Sequence, residues 1–307
     1  MKMQNLSKHI TVFTDDMSRH ENVVVIWTSV GPVLVDAFRS PIQFAVVQKY
    51  LADQGYPKAY MQIFTHWHAN HTLGNQELEG VRIVAHQLTL DLMKNTLLNI
   101  IREESGEYSE LSFIDTKIFT PTEIFSIEKH LDIGDTKFVL IHAPGHSPDS
   151  TLVFLPDQQA LFAGDNLVGP EVEFFFPPIF PQEKTGGIEA LAQVYRQIRQ
   201  LAPKTVIPGH GWVLPPHEML ALNEHRYKVV LKRAIDIMNR SLSGLSSFES
   251  YYDEQVIRAW LSQANTCLTM DEQEALKENI GRALRLFSQT FDQVVLNNSQ
   301  FTIHNAQ

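Results

Sequence analysis

The sequence predicts a mixed α/β domain over residues 1–215, followed by a helical extension over residues 216–307. Three observations carry this reading. Short apolar runs of strand character alternate with loops and a few amphipathic segments through the first two-thirds of the chain. After about Pro216 long helical periodicities take over, separated by Ser/Gly-rich or Asn-Thr breaks. Within the first texture, histidine-bearing loops recur directly after strand candidates.

In chain order, residues 23–27 (VVVIW) and 33–35 read as a hairpin joined at a Ser-Val-Gly-Pro turn. Residues 41–54 carry Phe44, Val47, Tyr50 and Leu51 at helical spacing, with Ser40 as N-cap and Gly55 as the stop. Further strands are expected at 59–65, 81–85, 138–142, 151–155, 160–163 and 205–207. Helices are expected at 86–101 and at 187–201, where Ile188, Leu191, Val194, Ile198 and Leu201 share one face. In the tail, helices are expected at 217–242, 248–263 and 271–296. Their apolar stripes, such as Met219, Leu222, Tyr227 and Val230, read as core packing.

With 307 residues, 44% hydrophobic and 20% charged, the chain has the composition of an ordinary globular protein. The 35 acidic against 25 basic side chains give a net charge of -10, which opposes nucleic acid as a partner. Cys267 has no second cysteine to pair with, there is no apolar leader, and no apolar run approaches a membrane span. The expectation is a cytoplasmic protein acting on a small molecule, without a membrane partner.

His66, His68 and His71 lie in THWHANHTLGN, His146 in HAPGHS, Asp165 in LFAGD and His210 in PGHG. Each group follows a strand candidate, usually through a glycine that lets the backbone turn sharply. Imidazole and carboxylate are ligands preferred by borderline divalent metals, zinc above all, with iron or manganese as alternatives. The His66-x-His68 spacing lets two rings grip one ion, and His71 can serve a second. Taken singly, each histidine reads as an ordinary surface or core residue; the ordered set does not.

These motifs resemble the metallo-β-lactamase-fold hydrolases, whose signature H-x-H-x-D-H is followed by Pro-Gly-His, Gly-Asp and Gly-His loops. The resemblance covers roughly residues 10–215 and implies an αββα sandwich with the metals at one edge of its sheets. It implies one or two divalent ions: His66, His68 and His146 on the first, His71, Asp165 and His210 on the second, with Asp165 bridging. One position departs from the pattern. Asn70 stands where the family carries an Asp that binds the second metal and orients the attacking water. An amide oxygen can still coordinate a cation but brings no charge and accepts protons poorly. The expectations are a weaker second metal, a different metal, or a degenerate site.

The apolar loop after Asp165, with Phe175 and Phe176, reads either as a pocket wall or as packing against the C-terminal helices. Trp67, His225 and Tyr227 are further candidates for substrate contact, and Thr65 and Ser147 for hydrogen bonds to ligand rings. His86, His130 and His142 read as structural. The leading function is metal-dependent hydrolysis of a small-molecule ester, thioester, lactone or lactam, with Asn70 and Asp165 at the catalytic centre. Only 44 residues separate Asp165 from His210, too few for the inserted domain of the nuclease branches. His68 opposes the flavin-linked branch, which has Glu there, while a glyoxalase-like thioesterase stays open. The alternative is a metal-binding or small-molecule-sensing protein that lost turnover. A homodimer through the C-terminal helices is compatible with both.

Overall fold

In a computed structural model, residues 1–16, 20–77, 79–97, 119–170, 172 and 188–228 are described. The elements are β1 (Lys2–Ser7), β2 (Ile10–Thr14), β3 (Asn22–Thr28), β4 (Gly31–Val35), α1 (Pro41–Asp53), β5 (Met61–Ile63), the single turn α2 (Ala69–Thr72), β6 (Arg82–His86) and α3 (Gln87–Leu92). They continue with β7 (Glu123–Phe125), β8 (Glu128–Ile133), β9 (Thr136–His142), β10 (Thr151–Leu155), β11 (Ala160–Phe162), α4 (Ile188–Leu201) and β12 (Thr205–Ile207). A further helix, α5, occupies residues 216–228.

Seven strands, β1 to β7 in chain order, form one sheet, and five form a second in the order β12-β11-β10-β9-β8. The first sheet is antiparallel from β1 to β4 and parallel from β4 to β7. In the second, β12 lies parallel to β11 and the other pairs are antiparallel. Strand alternation explains the stacking, because successive side chains point to opposite faces. On β3, Val24 and Ile26 face the second sheet, while Val23 and Val25 face the layer holding α1. On β10 and β11, Val153, Leu155, Ala160 and Phe162 point between the sheets, and Leu152 and Leu161 point toward α4. The strands are apolar on both faces, as two-sided burial requires. Three cores separate four layers: helix, sheet, sheet, helix. The expected αββα sandwich is therefore the observed one.

The predicted hairpin is β3–β4, paired from Val24 with Val35 to Thr28 with Gly31. In α1, the Ser40 hydroxyl accepts from Ile42 N at 3.2 Å, Pro41 opens the first turn, and Phe44, Val47 and Leu51 are buried. Two expectations need correction. The strand expected over 59–65 is only Met61–Ile63, because Thr65 N leaves the ladder to donate to the Asp36 carboxylate at 2.8 Å. The helix expected from residue 86 starts at Gln87, because His86 belongs to β6 and its Nδ1 accepts from Leu88 N at 3.2 Å as a cap. Strands β1, β2, β7 and β8 were not expected. β8, with Glu128, Lys129, His130 and Asp132, is a polar edge whose strand identity comes from its partner β9.

Of the tail, residues 216–228 are helical as expected; the expectations from residue 229 onward, Cys267 included, lie outside the described residues. So do Phe175 and Phe176. Among the described residues, no helix is long and apolar enough to cross a membrane.

Candidate metal centre

The candidate ligands arrive on loops at one end of both sheets. β5 feeds His66, His68 and His71; β9 leads to His146, β11 to Asp165 and β12 to His210. Asn22, at the start of β3, pins the last loop. Its Nδ2 donates to Pro208 O at 2.9 Å and Gly211 O at 2.8 Å, while its backbone N donates to Gly209 O at 2.8 Å. Asn166 holds the His146 loop, its Oδ1 accepting from His146 N at 2.8 Å and its Nδ2 donating to Ala143 O at 3.1 Å. Thr151 N donates to Thr65 O at 2.8 Å and ties the two sheets beside the centre.

Two clusters result, His66–His68–His146–Asp165 and His71–Asp165–His210, all of them buried. In the first, His68 Nδ1 lies 3.0 Å from His66 Nε2 and 2.9 Å from His146 Nε2. Asp165 Oδ2 stands 3.4 Å from His146 Nε2 and 3.8 Å from His66 Nε2. In the second, His71 Nε2 is 3.3 Å from His210 Nε2 and 3.2 Å from Asp165 Oδ1, and His210 Nε2 is 3.2 Å from Asp165 Oδ2. A tetrahedron with metal–nitrogen bonds of about 2.0–2.1 Å has edges of about 3.4 Å, so both clusters have the spacing of a metal cage. Ring nitrogens this close cannot all present lone pairs to one another without a cation among them. Neither Asp165 carboxylate oxygen has a well-directed hydrogen-bond donor among the described residues. The donor set fits divalent ions, with Asp165 shared between the two positions.

The tautomers follow from one residue that the sequence reading passed over, Asp36. The Thr65 hydroxyl donates to Asp36 Oδ2 at 2.7 Å, so its oxygen accepts from His66 Nδ1 at 3.0 Å. His71 Nδ1 donates to Asp36 Oδ2 at 2.8 Å. Nε2 is therefore the nitrogen that both rings turn toward the clusters, the one left to ligate when it carries no proton. Asp36 sits at φ 60° and Phe38 at φ 57°, left-handed positions that a well-packed loop must enforce. Two glycines keep the space around the Asp165 loop clear. Gly164 has φ +52° and a Cβ there would come within 2.9 Å of Thr65, while a Cβ on Gly209 would lie 1.9 Å from Asp165 Oδ1.

Burial, with the neighbouring imidazoles, holds His66 and His146 well below the ordinary histidine value, so both are neutral. Burial also pulls His71 down, but Asp165 and Asp36 outweigh it and hold it well above. Asp165, despite the upward push of burial, is held well below the carboxylate range by His210, His71 and His146. Asp165 is thus ionised, the form in which a carboxylate serves as a metal ligand. Glu21, buried beside the His210 loop, is pushed up to about 7, chiefly by burial.

Asn70 Nδ2 lies 3.1 Å from His210 Nε2, so the departing position is part of the centre. Thr65 serves a ligand ring as expected, whereas the Ser147 hydroxyl bonds Asp149 at 2.7 Å and Ser150 at 2.8 Å instead. Trp67, expected as a substrate contact, is 1% exposed and belongs to the core under α1, its ring 4.8 Å from that of His68. Tyr227 packs on the α4 core, 6.3 Å from the Tyr195 ring, and His225 is exposed on α5. His86 and His142 stack on each other, 3.9 Å apart and away from the clusters. Asp36, Asn22, Asn166 and Glu21 were missed. A polar residue closing or opening an apolar strand, as in VLVDAF and ENVVVI, was the available signal.

The family model described as the metallo-beta-lactamase superfamily matches residues 19–210. Among curated relatives, an atrochrysone carboxyl ACP thioesterase of Claviceps purpurea is 30% identical over 149 residues, 48% of this chain and 40% of the relative. The lactamase-like protein ptaB of Pestalotiopsis fici is 22% identical over 282 residues, 85% of this chain and 78% of the relative. The chain spans about half or less of the length of the first thioesterases it matches. Among solved structures, a metallo-beta-lactamase from Pontibacter korlensis superposes with TM-score 0.55 at 19% identity, covering 74% of this chain and 98% of that one. The DIM-1 metallo-beta-lactamase gives TM-score 0.58 at 17% identity, covering 74% of this chain and 96% of that one. These structures share the fold.

Proposed function

The chain belongs to the metallo-beta-lactamase superfamily, and from that premise we propose that it is a metal-dependent hydrolase cleaving the thioester of a small acyl group. The observation that carries the reading is the pair of buried clusters joined through Asp165. Relatives named as carboxyl ACP thioesterases favour a thioester over the ester, lactone and lactam alternatives. The imidazole-rich donor set favours zinc.

His66, His68, His146 and Asp165 would hold the first ion, and His71, His210 and Asp165 the second. When bound, such ions polarise the acyl carbonyl and bring the pKa of a water from 15.7 to about 7. The chain's own residues do the rest. Asp36 and Thr65 fix His66 and His71 in the ligating tautomer, and Asp165 sets the two positions against each other. Asn70 directs its amide at the His210 edge, and a half-turn of that amide presents its oxygen there instead. Neither orientation makes it a base, so Asn70 can orient a water but not take its proton.

The test is a hydrolysis panel of an acyl thioester, a chromogenic ester, a lactone and a cephalosporin, run with zinc-loaded and chelated protein. Thioester turnover that chelation abolishes and zinc restores is the expected result. Asn70 gives specific support to a second reading, a metal-binding protein without turnover. Bound zinc with no hydrolysis across the panel would establish that reading and overturn the first.

A further inference from the structure

The second cluster, His71–Asp165–His210, has Asn70 at its edge and one carboxylate, which it shares with the first. Behind it stands another acid. Glu21 is 4% exposed, and its backbone forms an antiparallel bridge with His210 itself. Its carboxyl lies within electrostatic reach of both His210 and His71.

Glu21 has no ion pair among the described residues. Its Oε2 accepts from Arg39 N at 3.2 Å, the Arg39 side chain acts on it only at longer range, and Asp15, whose Oδ1 accepts from Glu21 N at 3.1 Å, repels it. A buried carboxylate placed this way is costly unless a positive field compensates for it. Positive charge on the His210 and His71 side lowers the cost of burying Glu21; once those rings ligate as neutral imidazoles, that charge would be the ion's. Glu21 is outside the sets whose ligand atoms lie within 4.8 Å of one another, so it acts through the field and not by coordination.

We propose that Glu21 is a positioning residue of the second metal position, supplying from behind His210 the negative charge that Asn70 does not. This rests on reading the two clusters as metal sites. A divalent ion responds to total nearby charge, and a buried carboxylate behind a ligand replaces part of what a coordinating one provides.

The experiment measures Zn²⁺ binding alone, by equilibrium dialysis against buffered free zinc, for the full chain and for Glu21→Gln, Asn70→Asp and the double variant. Circular dichroism melting reports folding. Glutamine keeps the acceptor for Arg39 N, so the substitution removes charge alone. Two binding steps are expected for the native chain. Glu21→Gln should weaken the weaker step by about 10–100-fold and leave the tighter one in place. With Asn70→Asp already in place, Glu21→Gln should cost the weaker step clearly less than it does in the native chain, a coupling that a merely structural role for Glu21 would not show. An unchanged weaker step in Glu21→Gln, or an equal cost of that substitution with Asn70 and with Asn70→Asp in folded variants, overturns the proposal. If the glutamine variant does not fold, Glu21→Asp must keep the weaker step within a few-fold, and its loss overturns the proposal. A native chain with a single zinc step overturns it too, yet leaves the thioesterase reading to be judged by turnover. A chain with no zinc step overturns both.

Discussion

Asp36 accepts three hydrogen bonds, from Thr65 N, the Thr65 hydroxyl and His71 Nδ1, and through them sets one ring of each metal position. Replacing it with asparagine presents an amide N–H to a donor. The expected outcome is a 10–100-fold loss of zinc affinity with about 1–3 kcal/mol of lost stability from the orphaned group, read by zinc competition and urea unfolding. Unaltered zinc retention would refute the tautomer assignment. At Asn70, aspartate should raise retention of the second ion, counted per chain after dialysis; unchanged stoichiometry counts against its place in the centre. Gly209→Ala would drive a methyl group onto Asp165 Oδ1, 1.9 Å away before relaxation. That variant should remain folded by circular dichroism and lose zinc from both positions, because both depend on the same carboxylate.

Between elements, the stacked His86 and His142 rings join β6 of one sheet to β9 of the other. The neutral His86 ring donates from Nε2 to Ser126 O at 2.7 Å and accepts at Nδ1 from Leu88 N, so a second proton would destroy the cap on α3. Burial chiefly, with the His142 ring adding to it, lowers the His86 pKa below 6.5, against the pull of the Ser126 carbonyl and Asp91. The folded state then binds fewer protons than the unfolded one. Stability from this group is full above about pH 6.5 and is lost as pH falls through the lower folded value. A melting series from neutral to mildly acidic pH should show that decline, and His86→Gln should remove part of it; an identical slope in the variant would dismiss the assignment. The polar edge β8 and the short β7 illustrate a different dependence. Their three to six residues carry weak apolar pattern and become strands through pairing with β9 and β6.

Across the whole molecule, the candidate ligands come half from the first sheet and half from the second. An ion bound among them therefore cross-links the two halves of the sandwich. Ligands that bind only the folded state stabilise it by mass action, about 2.7 kcal/mol at a hundred times Kd. Chelation should lower the melting temperature and added zinc should restore it in a concentration-dependent way. A melting temperature indifferent to both would separate the fold from the metals.

The candidate ligand types, their order and their places after strand ends can be read from the chain alone. Those depend on residue identity and on short-range turn geometry, so His66, His68, His71, His146, Asp165 and His210 were legible, as was the departure at Asn70. The layered fold was legible for a related reason: two-sided apolar strands and one-sided helices admit few stackings. Long-range contacts settle which nitrogen His66 and His71 present, that Asn22 holds the His210 loop, that Trp67 is core, and that Glu21 pairs with His210. Each of those is a contact between segments distant in the chain, and its energy exists only once the sheets have paired and excluded water.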